Sequence, residues 1–480
     1  MNIRIKGIGI INDSTIDLNG LTIITGKNNS GKTTLGKILY SYIESISDIQ
    51  NNALRDTNFY IFKKIYNVVD ILQFFITFTR ACKTEEVIKF LENNTYLKMF
   101  SEQKSFVYKQ DEDYSNMAQA LIQELKNLLD NNSYILDIAN SFYNKIQIDS
   151  NEPLDVKKLL ETTTNNCIMV LTQTFDLLDK NKSLQPYTQE RISQLFNMEF
   201  SEQIQPVLHD TDNSFIEIHD DTYPNVILKF KNNTLEKEKD PIIYQSSYKK
   251  IFMIDDPFII DEANISFKNN RGSLIDSLVD TSTLMNHEEK LKKFLKLKIN
   301  QNPYESSVID ENYKLIKSKI DDVIPGSFEF SDDGDFYIQN GRKLKTSNLA
   351  TGSKLFAIMK ILLSKGCIDD STILIFDEPE AHLHPDWQNI FAEIIVLLVK
   401  ELNVKVVLTT HSPNFVLALE ANMRKHKIEN KTNFYHTNFH EDGLVDYTCV
   451  DDNIEVIYAD FLEALSASKI IREKFLNNQD

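Results

Sequence analysis

A short run of residues near the start of the chain has the types and spacing of a phosphate-binding loop. Residues 26–33 fit the pattern G-x-x-x-x-G-K-[ST], and the apolar run 21–24 precedes them. The glycines let the backbone turn so that its N–H groups point at a phosphate, and the helix expected after the loop directs the positive end of its dipole there. Lys32 can reach the β- and γ-phosphates, and Thr33 can bind Mg²⁺. We expect a nucleotide to be contacted by Gly26, Lys27, Asn28, Asn29, Ser30, Gly31, Lys32, Thr33 and Thr34.

A second set of chemically active residues follows an apolar run near the other end of the chain. Residues 373–376 are all apolar, as expected of a parallel strand that is buried on both faces. Asp377 and Glu378 come directly after it, and α/β sheets bind their ligands at the carboxyl ends of such strands. We predict that Asp377 binds Mg²⁺ and that Glu378 is the general base that orients the attacking water. Acidic residues that only cap a strand for solubility are the alternative.

A histidine ends another apolar strand. His411 follows residues 406–410, and a histidine at such a position can contact a γ-phosphate and sense whether it is present. A purely structural histidine is the alternative, and the hydroxyl residues around His411 favour the functional interpretation. Together the segments predict one nucleotide-hydrolysing site, with Mg²⁺ as a cofactor and with Lys32, Glu378 and His411 as catalytic residues.

The phosphate loop and the acidic strand lie at opposite ends of the sequence, so a sheet must bring them together. Residues 377–385 (DEPEAHLHP) and 410–413 (THSP) resemble the Walker B, D-loop and switch-histidine segments of ABC-type ATPases. The branch they resemble contains the SMC-like and OLD-like proteins, and the resemblance covers roughly the first 45 and the last 150 residues. It implies an α/β fold: an ABC-type ATPase head with a parallel sheet that carries the phosphate loop, an antiparallel β lobe and a large helical insertion.

In that family a signature loop of one subunit closes over the ATP of another subunit. The matching stretch here is residues 349–354, where Thr351 takes the place of the signature serine and Gly352 that of the first glycine. Ser353 replaces the family's second glycine, and Lys354 stands where the family has a polar residue. The resemblance thus implies that Thr351, Gly352 and Ser353 contact ATP across the interface of a homo-oligomer. Gln245 is the candidate for the family's Q-loop glutamine.

Periodic patterns divide the sequence into segments. Apolar residues recur at helical spacing between residues 60 and 200, with asparagine-rich breaks at 93–94, 131–132 and 165–166. Alternation at 214–218 and 226–230 predicts strands, 327–338 predicts a hairpin, and 461–475 a closing helix. The predicted segments are 1–50 with the phosphate loop, a helical insertion over 51–205, a β-rich part over 206–265, a second helical segment over 266–325, and 326–480 with the signature-like loop, Walker B and switch histidine.

Composition limits the classes of protein to consider. The 480 residues carry a net charge of −18, which weighs against a broad nucleic-acid surface, although the basic stretches 290–298 and 424–427 leave local nucleic-acid binding possible. Both stretches are interpreted as solvated helix faces or ends, and the acidic cluster 255–262 as a solvated loop rather than a second metal site. We expect no membrane span and no leader peptide. The widely spaced Cys82, Cys167, Cys367 and Cys449 indicate a reducing cytoplasm.

The resemblance implies alternative functions for the whole chain. The first is an ATPase switch or scaffold that controls a separate effector, as in the ATPase components of bacterial anti-phage defence systems such as Septu or PARIS, where the family pairs the ATPase with an HNH or Toprim nuclease. The residues after His411 show no strand-borne glutamate followed by Asp-x-Asp, so we expect any nuclease to be a separate subunit. The alternatives are an SMC-like DNA repair or recombination ATPase that binds DNA directly, and an oligomeric scaffold that binds ATP with low turnover.

Overall fold

The computed structural model describes residues 1–82, 96, 112–130, 156–180, 184–207, 213–262, 284–296, 311–331, 334–459, 462 and 466. The chain forms two compact units, the first from residues 1–48, 188–273 and 284–480 and the second from 49–187 and 274–283. The predicted division at residue 50 lies close to the first of these boundaries. The chain returns to the first unit at Thr188, earlier than the predicted residue 205, because Ile192, Leu195 and Phe196 join the core of that unit.

Strands and helices of the described residues are numbered here in chain order. The strands are β1 (Asn2–Ile8), β2 (Ile11–Asp17), β3 (Leu21–Thr25), β4 (Ser214–His219), β5 (Val226–Lys231), β6 (Thr234–Leu235), β7 (Lys250–Ile254), β8 (Ser327–Ser331), β9 (Gly334–Gln339), β10 (Arg342–Lys345), β11 (Thr372–Asp377), β12 (Lys405–Thr410), β13 (Thr432–Phe439) and β14 (Val445–Cys449). The helices are α1 (Lys32–Ile46), α2 (Ile49–Cys82), α3 (Tyr114–Asp130), α4 (Val156–Lys180), α5 (Leu184–Phe200), α6 (Ile259–Glu262), α7 (His287–Lys296), α8 (Glu311–Val323), α9 (Thr351–Ser364), α10 (Pro385–Leu402) and α11 (Pro413–His426).

One large sheet crosses the first unit in the order β6-β5-β4-β1-β2-β14-β13-β3-β12-β11-β7. Within it β13, β3, β12, β11 and β7 run parallel to one another. At the other end β2, β1, β4, β5 and β6 pair in antiparallel fashion. The predicted α/β fold, a parallel sheet that carries the phosphate loop next to an antiparallel β lobe, is therefore confirmed.

The burial of each strand explains its place in the sheet. Every residue of β3 is buried, and so is every residue of β11 before Asp377, as expected of strands covered on both faces. Buried and more exposed residues alternate in β4 and β5, as expected at a sheet with one wet face. The strands predicted at 214–218 and 226–230 are confirmed. The predicted hairpin corresponds to β8 and β9, and its residues 332–333 lie outside the described residues.

Helices cover the parallel part of the sheet on both faces. Ile373 and Ile375 of β11 belong to the same core as α1, whereas Leu374 and Phe376 belong to the core of α9 and α10. On the second face the ring of Phe391 meets that of Phe376 edge to face, with ring centroids 5.4 Å apart. The helices packed on both faces hold the parallel strands in place, and so hold the edge of the sheet at which the phosphate loop and the acidic residues lie.

The second unit has a helical core of its own. Its helices α2, α3 and α4 pack through residues that include Phe62, Tyr114 and Cys167, which confirms the predicted helical character for the described part. The break predicted at residues 165–166 is wrong, because α4 continues through both asparagines, which are exposed beside the buried Cys167. An exposed Asn costs a helix only about 0.7 kcal/mol relative to Ala, too little to end a helix with a packed face. The predicted breaks at 93–94 and 131–132, and most of the closing helix at 461–475, lie outside the described residues.

Candidate functional site

Neighbouring strands end at the same edge of the sheet and bring the distant motifs together. Thr25, the last residue of β3, lies opposite Thr410 of β12, and Thr409 lies opposite Asp377 of β11. The Thr33 hydroxyl donates a hydrogen bond of 2.5 Å to Asp377 Oδ2, although 344 positions separate the two residues. The phosphate loop, the acidic strand end and the histidine that follows β12 therefore form one cluster.

The phosphate loop has a backbone that requires its glycines. Gly26 has a φ of 152° and Gly31 a φ of 74°, and α1 begins directly after Gly31. A Cβ on Gly26 would lie 1.7 Å from Thr437 Oγ1 of β13, so a side chain cannot fit there without displacing that strand residue. From β14, the buried Tyr447 hydroxyl donates a hydrogen bond of 2.5 Å to the carbonyl oxygen of Gly31. The C-terminal hairpin thus supports a loop made by the N-terminal part of the chain.

Lys32 connects the loop with the acidic end of β11. Its side chain is 4% exposed, and Nζ donates hydrogen bonds to the carbonyl oxygens of Gly26 at 3.2 Å and Lys27 at 2.9 Å. The same nitrogen lies 3.4 Å from Glu378 Oε1. The loop therefore holds a buried positive charge next to the carboxylate of Glu378, for which the sequence predicts the role of general base.

Two hydroxyl groups hold the carboxylate of Asp377. Thr33 donates to Oδ2 and Thr409 to Oδ1. Burial raises the pKa of Asp377, and the hydrogen bonds from the two hydroxyls oppose that rise because they favour the ionised form. The orientation of this carboxylate is thus set by neutral donors on β12 and α1.

Glu378 has a backbone conformation that is uncommon for a residue with a side chain. Its φ of 48° and ψ of 49° lie in the left-handed region, which costs on the order of 1 kcal/mol. The backbone N–H compensates by donating to the Thr409 carbonyl oxygen at 3.1 Å and to its hydroxyl oxygen at 3.0 Å. Oε2 of Glu378 lies 3.2 Å from His411 Nδ1. The strained turn therefore places the carboxylate between Lys32 and His411.

A second glutamate, Glu380, supports His411, although no sequence pattern assigned it a role. The side chain of Glu380 is buried, and Oε1 accepts hydrogen bonds from the Thr410 hydroxyl at 2.6 Å and from the His411 backbone N–H at 3.2 Å. Burial raises the pKa of Glu380, which the hydrogen bonds from Thr410 and His411 oppose. In the sequence, only the position of Glu380 two residues after Glu378 indicates a role. Its hydrogen-bond partners, Thr410 and His411, lie at the end of another strand and are distant in the sequence.

Residues 351–354 of the signature-like segment form the first turn of α9, and part of that turn is buried within the same chain. A Cβ on Gly352 would lie 2.9 Å from a backbone carbonyl oxygen in the turn after β11. Lys354 is buried and forms an ion pair with Asp261. Thr351 and Ser353 remain partly exposed. Thr351 and Ser353 are therefore the residues of this first turn whose side chains are available for a contact outside the chain.

Several charged residues interpreted as solvated are instead held in ion pairs, so that interpretation is wrong for them. Asp255 lies 3.0 Å from His287 through its Oδ2, and Lys290 is buried against Glu44 of α1. These pairs join segments that are distant in the sequence, which is why local charge patterns did not reveal them. Residues 297–298 of the basic stretch lie outside the described residues. Gln245, the Q-loop candidate, is exposed and precedes β7, whereas Asp255 directly follows that strand.

The side chains at this edge suit ATP and Mg²⁺. The hydroxyl of Thr33 and the carboxylate of Asp377 are oxygen ligands of the kind that Mg²⁺ prefers. Among the described residues, the buried hydroxyl oxygens of Ser30 and Thr437 next to Gly26 have no hydrogen-bond partner, and each hydroxyl can donate to a phosphate oxygen. The start of α1 adds backbone N–H groups and the positive end of a helix dipole.

Comparisons with known proteins give a family and a set of distant structural likenesses. The family described as AAA ATPase domain matches residues 1–416. Among solved structures, the SMC head domain from Thermotoga maritima is 9% identical, with a TM-score of 0.34 and coverage of 94% of this chain and 98% of that chain. A Smc head domain with a coiled coil and joint from Pyrococcus yayanosii is 12% identical, with a TM-score of 0.34 and coverage of 96% and 99%. No curated protein matches the chain significantly.

The described part of the chain lacks two other kinds of feature. No helix there has the length and apolar character needed to cross a membrane. Within the same residues, no group of three or more His, Cys, Asp or Glu side chains has an arrangement that could hold a metal ion by itself.

Proposed function

Because the chain belongs to the AAA ATPase domain family, we propose that it binds and hydrolyses ATP where the phosphate loop meets the acidic end of β11. The observation that carries the proposal is the hydrogen bond of 2.5 Å between Thr33 and Asp377. It joins a loop suited to phosphates with a carboxylate suited to Mg²⁺, and these are the two components that phosphoryl transfer to water requires.

Each side chain of the cluster has a task in this reaction. Bound Mg²⁺ would be held by Thr33 and Asp377 and would neutralise charge that develops on the phosphates. Lys32 stabilises the same charge and already lies 3.4 Å from Glu378. Glu378 orients the attacking water and accepts its proton, while His411, 3.2 Å from Glu378, contacts the γ-phosphate.

Substitution of the two central residues tests the hydrolysis proposal. Lys32→Ala removes the charge that binds phosphate, so we expect at least a roughly tenfold loss of ATP affinity. Glu378→Gln keeps the shape of the side chain but cannot accept a proton, so we expect binding to persist while turnover falls by about 10²–10⁴-fold. Phosphate release and the binding of a fluorescent ATP analogue measure the two effects.

The control is Lys229→Ala, which removes an exposed lysine paired with Glu238 in the antiparallel lobe. Lys229→Ala should leave both the ATP affinity and the rate of ATP turnover unchanged. Wild-type rates of hydrolysis in both Lys32→Ala and Glu378→Gln would refute the proposed ATPase site.

At the level of the assembly, the chain acts as a nucleotide-dependent switch. Two copies enclose ATP between the phosphate loop of one and Thr351 and Ser353 of the other, and the state of the nucleotide controls a separate effector. A nuclease subunit in cytoplasmic anti-phage defence is the effector that the resemblance to Septu- and PARIS-type ATPases supports. The genes beside this one provide the test, since an adjacent nuclease gene favours defence and a recombination operon favours DNA repair.

The alternatives to the switch can be separated by experiment. A DNA repair ATPase must bind duplex DNA by itself with a steep dependence on salt, and a net charge of −18 weighs against it. An ATP-binding scaffold with low turnover is favoured by one observation, the burial of Lys354 within its own chain. A DNA titration at several salt concentrations tests the first alternative, and a turnover number for the wild-type chain tests the second.

A further inference from the structure

The small sheet of the first unit ends in a strand that has a free outer edge. The strand order is β8-β9-β10, so β10 pairs on one side only among the described residues. Its four residues, Arg342, Lys343, Leu344 and Lys345, are all exposed. The sheet itself is anchored, because Tyr337 of β9 belongs to the core that also contains α9 and α10. An anchored sheet therefore presents one unpaired strand edge to solvent.

The register of β10 determines which of its backbone groups point outward. Residues 340–341 form a two-residue turn with positive φ values of 52° and 75°, and Arg342 lies opposite Gln339. The N–H of Arg342 therefore bonds across the turn, and inward and outward groups alternate from there along the strand. Lys343 and Lys345 thus direct their backbone N–H and C=O groups away from β9. No loop or turn of the described residues supplies a backbone hydrogen bond to either residue.

The side chains of β10 are basic and only partly neutralised. Lys343 lies 2.9 Å from Glu329 of β8, and its Nζ lies 5.5 Å from the centre of the Phe336 ring. Arg342 and Lys345 form no ion pair within the described part of the chain. The whole chain, by contrast, has a net charge of −18. The free edge is thus a basic strand on an acidic protein.

This charge discriminates between the strands that could pair with β10. A second copy of β10 would bring Arg342 and Lys345 against like charges, which destabilise a strand pair. Lysines at the edge of a sheet oppose association between copies in this way. An acidic strand would meet the same cations with opposite charge, and Leu344, which is 40% exposed, would give it an apolar contact. The edge therefore suits an acidic strand and not its own copy.

We propose that β10 is a docking strand for an extended acidic segment of a partner protein, which adds a fourth strand to the sheet. In this mode of recognition backbone hydrogen bonds supply affinity, and alternate side chains supply specificity. Lys343 and Lys345 provide the outward backbone groups, and Arg342 and Lys345 provide unpaired charge. A nucleic acid would match the charge but not the alternating backbone donors and acceptors, so the free edge favours a peptide.

The test is the binding of a fluorescein-labelled peptide of alternating glutamate and valine to the full chain without ATP, measured by fluorescence anisotropy. Arg342→Glu combined with Lys345→Glu should weaken binding at least about tenfold, because the strand then repels the probe. A second peptide with the same glutamates has two adjacent prolines at its centre, so neither of its edges can donate a hydrogen bond there. The wild-type chain should bind this second peptide at least about tenfold more weakly.

Hydrogen exchange gives a second measurement on the wild-type chain. When the first peptide is bound, the outward amides of Lys343 and Lys345 should exchange more slowly, because they donate to the added strand. Unchanged exchange of both amides in the presence of saturating peptide would place the peptide elsewhere and overturn the inference.

The matched control is Lys314→Glu combined with Lys317→Glu, two exposed lysines of α8, because it changes the net charge by the same amount. This control should bind the first peptide like the wild type. Equal affinity of the wild-type chain for the two peptides would overturn the inference, since charge alone would then account for binding. Binding of a single-stranded oligonucleotide but not of the peptide, with loss in the β10 variant, would assign the strand to nucleic acid instead. Because ATP is absent, none of these outcomes depends on the proposed ATPase function.

Discussion

At the scale of single residues, the acidic end of β11 is oriented by hydroxyl groups. Thr33 and Thr409 both donate to Asp377, and Thr409 also accepts from the backbone N–H of Glu378. A neutral donor orients a carboxylate without adding a positive charge. A lysine in the same place would neutralise the carboxylate. The position of the Asp377 carboxylate is therefore set by neutral donors on α1 and β12.

The contact between Gly26 and β13 leads to a first prediction. Gly26→Ala would place a methyl group 1.7 Å from Thr437 Oγ1, at a φ of 152° that L-residues rarely adopt, so the phosphate loop must move. We expect ATP affinity to fall by at least about tenfold, a change of roughly 1.4 kcal/mol. Titration with a fluorescent ATP analogue measures it.

Gly443→Ala is the matched control, because Gly443 also has a positive φ, of 86°, but no atom lies within 4 Å of its added Cβ. That variant should lose only about 1 kcal/mol of folding stability and bind ATP normally. An unchanged affinity in Gly26→Ala would show that the loop tolerates the displacement of Thr437.

Sequence patterns indicated which residues lie together at this edge of the sheet, but not the contacts between them. Lys32, Thr33, Asp377, Glu378 and His411 were identified because each has a fixed place relative to a glycine turn or an apolar run. The residues that support this cluster were not predicted, because only the register of the strands determines which groups they contact. They are Glu380, Thr409, Thr437 and Tyr447.

At the scale of secondary-structure elements, Glu393 of α10 connects three helices. Its carboxylate pairs with Lys319 of α8 at 2.9 Å and with Lys425 and His426 at the end of α11 at 2.7 and 3.2 Å. Burial acts to raise the pKa of Glu393, but the hydrogen bonds from Lys425, Lys319 and His426 lower it to about 2. The basic end of α11 was a candidate for local nucleic-acid binding. Two of its residues, Lys425 and His426, join helices through Glu393.

This junction predicts how stability depends on pH. A carboxyl group whose folded-state pKa is lowered from an ordinary value near 4.5 to about 2 stabilises the fold above pH 4.5 and loses that contribution as the pH falls toward 2. Glu393→Gln should therefore lower the free energy of unfolding at pH 7 by on the order of 1–3 kcal/mol and have little effect near pH 2. Urea unfolding at both pH values gives the comparison.

Glu329→Gln serves as the control, since Glu329 forms an exposed pair with Lys343 at 2.9 Å and such pairs contribute about 0–1 kcal/mol. The same loss in Glu393→Gln at low and neutral pH would mean that packing, and not charge, accounts for the effect of Glu393.

Elements with one clear periodicity were predictable, and those decided by packing were not. β3, β11 and β12 each contain a short, mostly apolar run, and β4 and β5 alternate, so local sequence was sufficient. The continuation of α4 through residues 165–166 depends on the packing of Cys167 in the second unit. The return of the chain to the first unit at Thr188 likewise depends on Ile192 and Phe196, which a helical pattern alone cannot assign to either unit.

At the scale of the whole molecule, the proposed pairing of two chains depends on the start of α9. Glu378→Gln should keep ATP bound, so with ATP it should show twice the mass of one chain by light scattering. Adding Ser353→Arg to that variant places a bulky cation at a partly exposed position of the signature-like segment. We expect the double variant to retain the mass of a single chain, because the added side chain prevents close approach.

Ser364→Arg, at the exposed C-terminal end of the same helix, is the matched control and should leave the doubled mass unchanged. A doubled mass that persists with Ser353→Arg would place the start of α9 outside the interface between chains.

The position of β3 between β12 and β13 affects how the protein is made. During synthesis β3 leaves the ribosome hundreds of residues before either neighbour, so the backbone N–H and C=O groups along its edges stay without strand partners for most of translation. Pairing across so long a stretch of chain is also slow. A growing polypeptide that stops before residue 405 would lack both flanking strands, and we expect it to depend on chaperones and to have no capacity to bind a nucleotide.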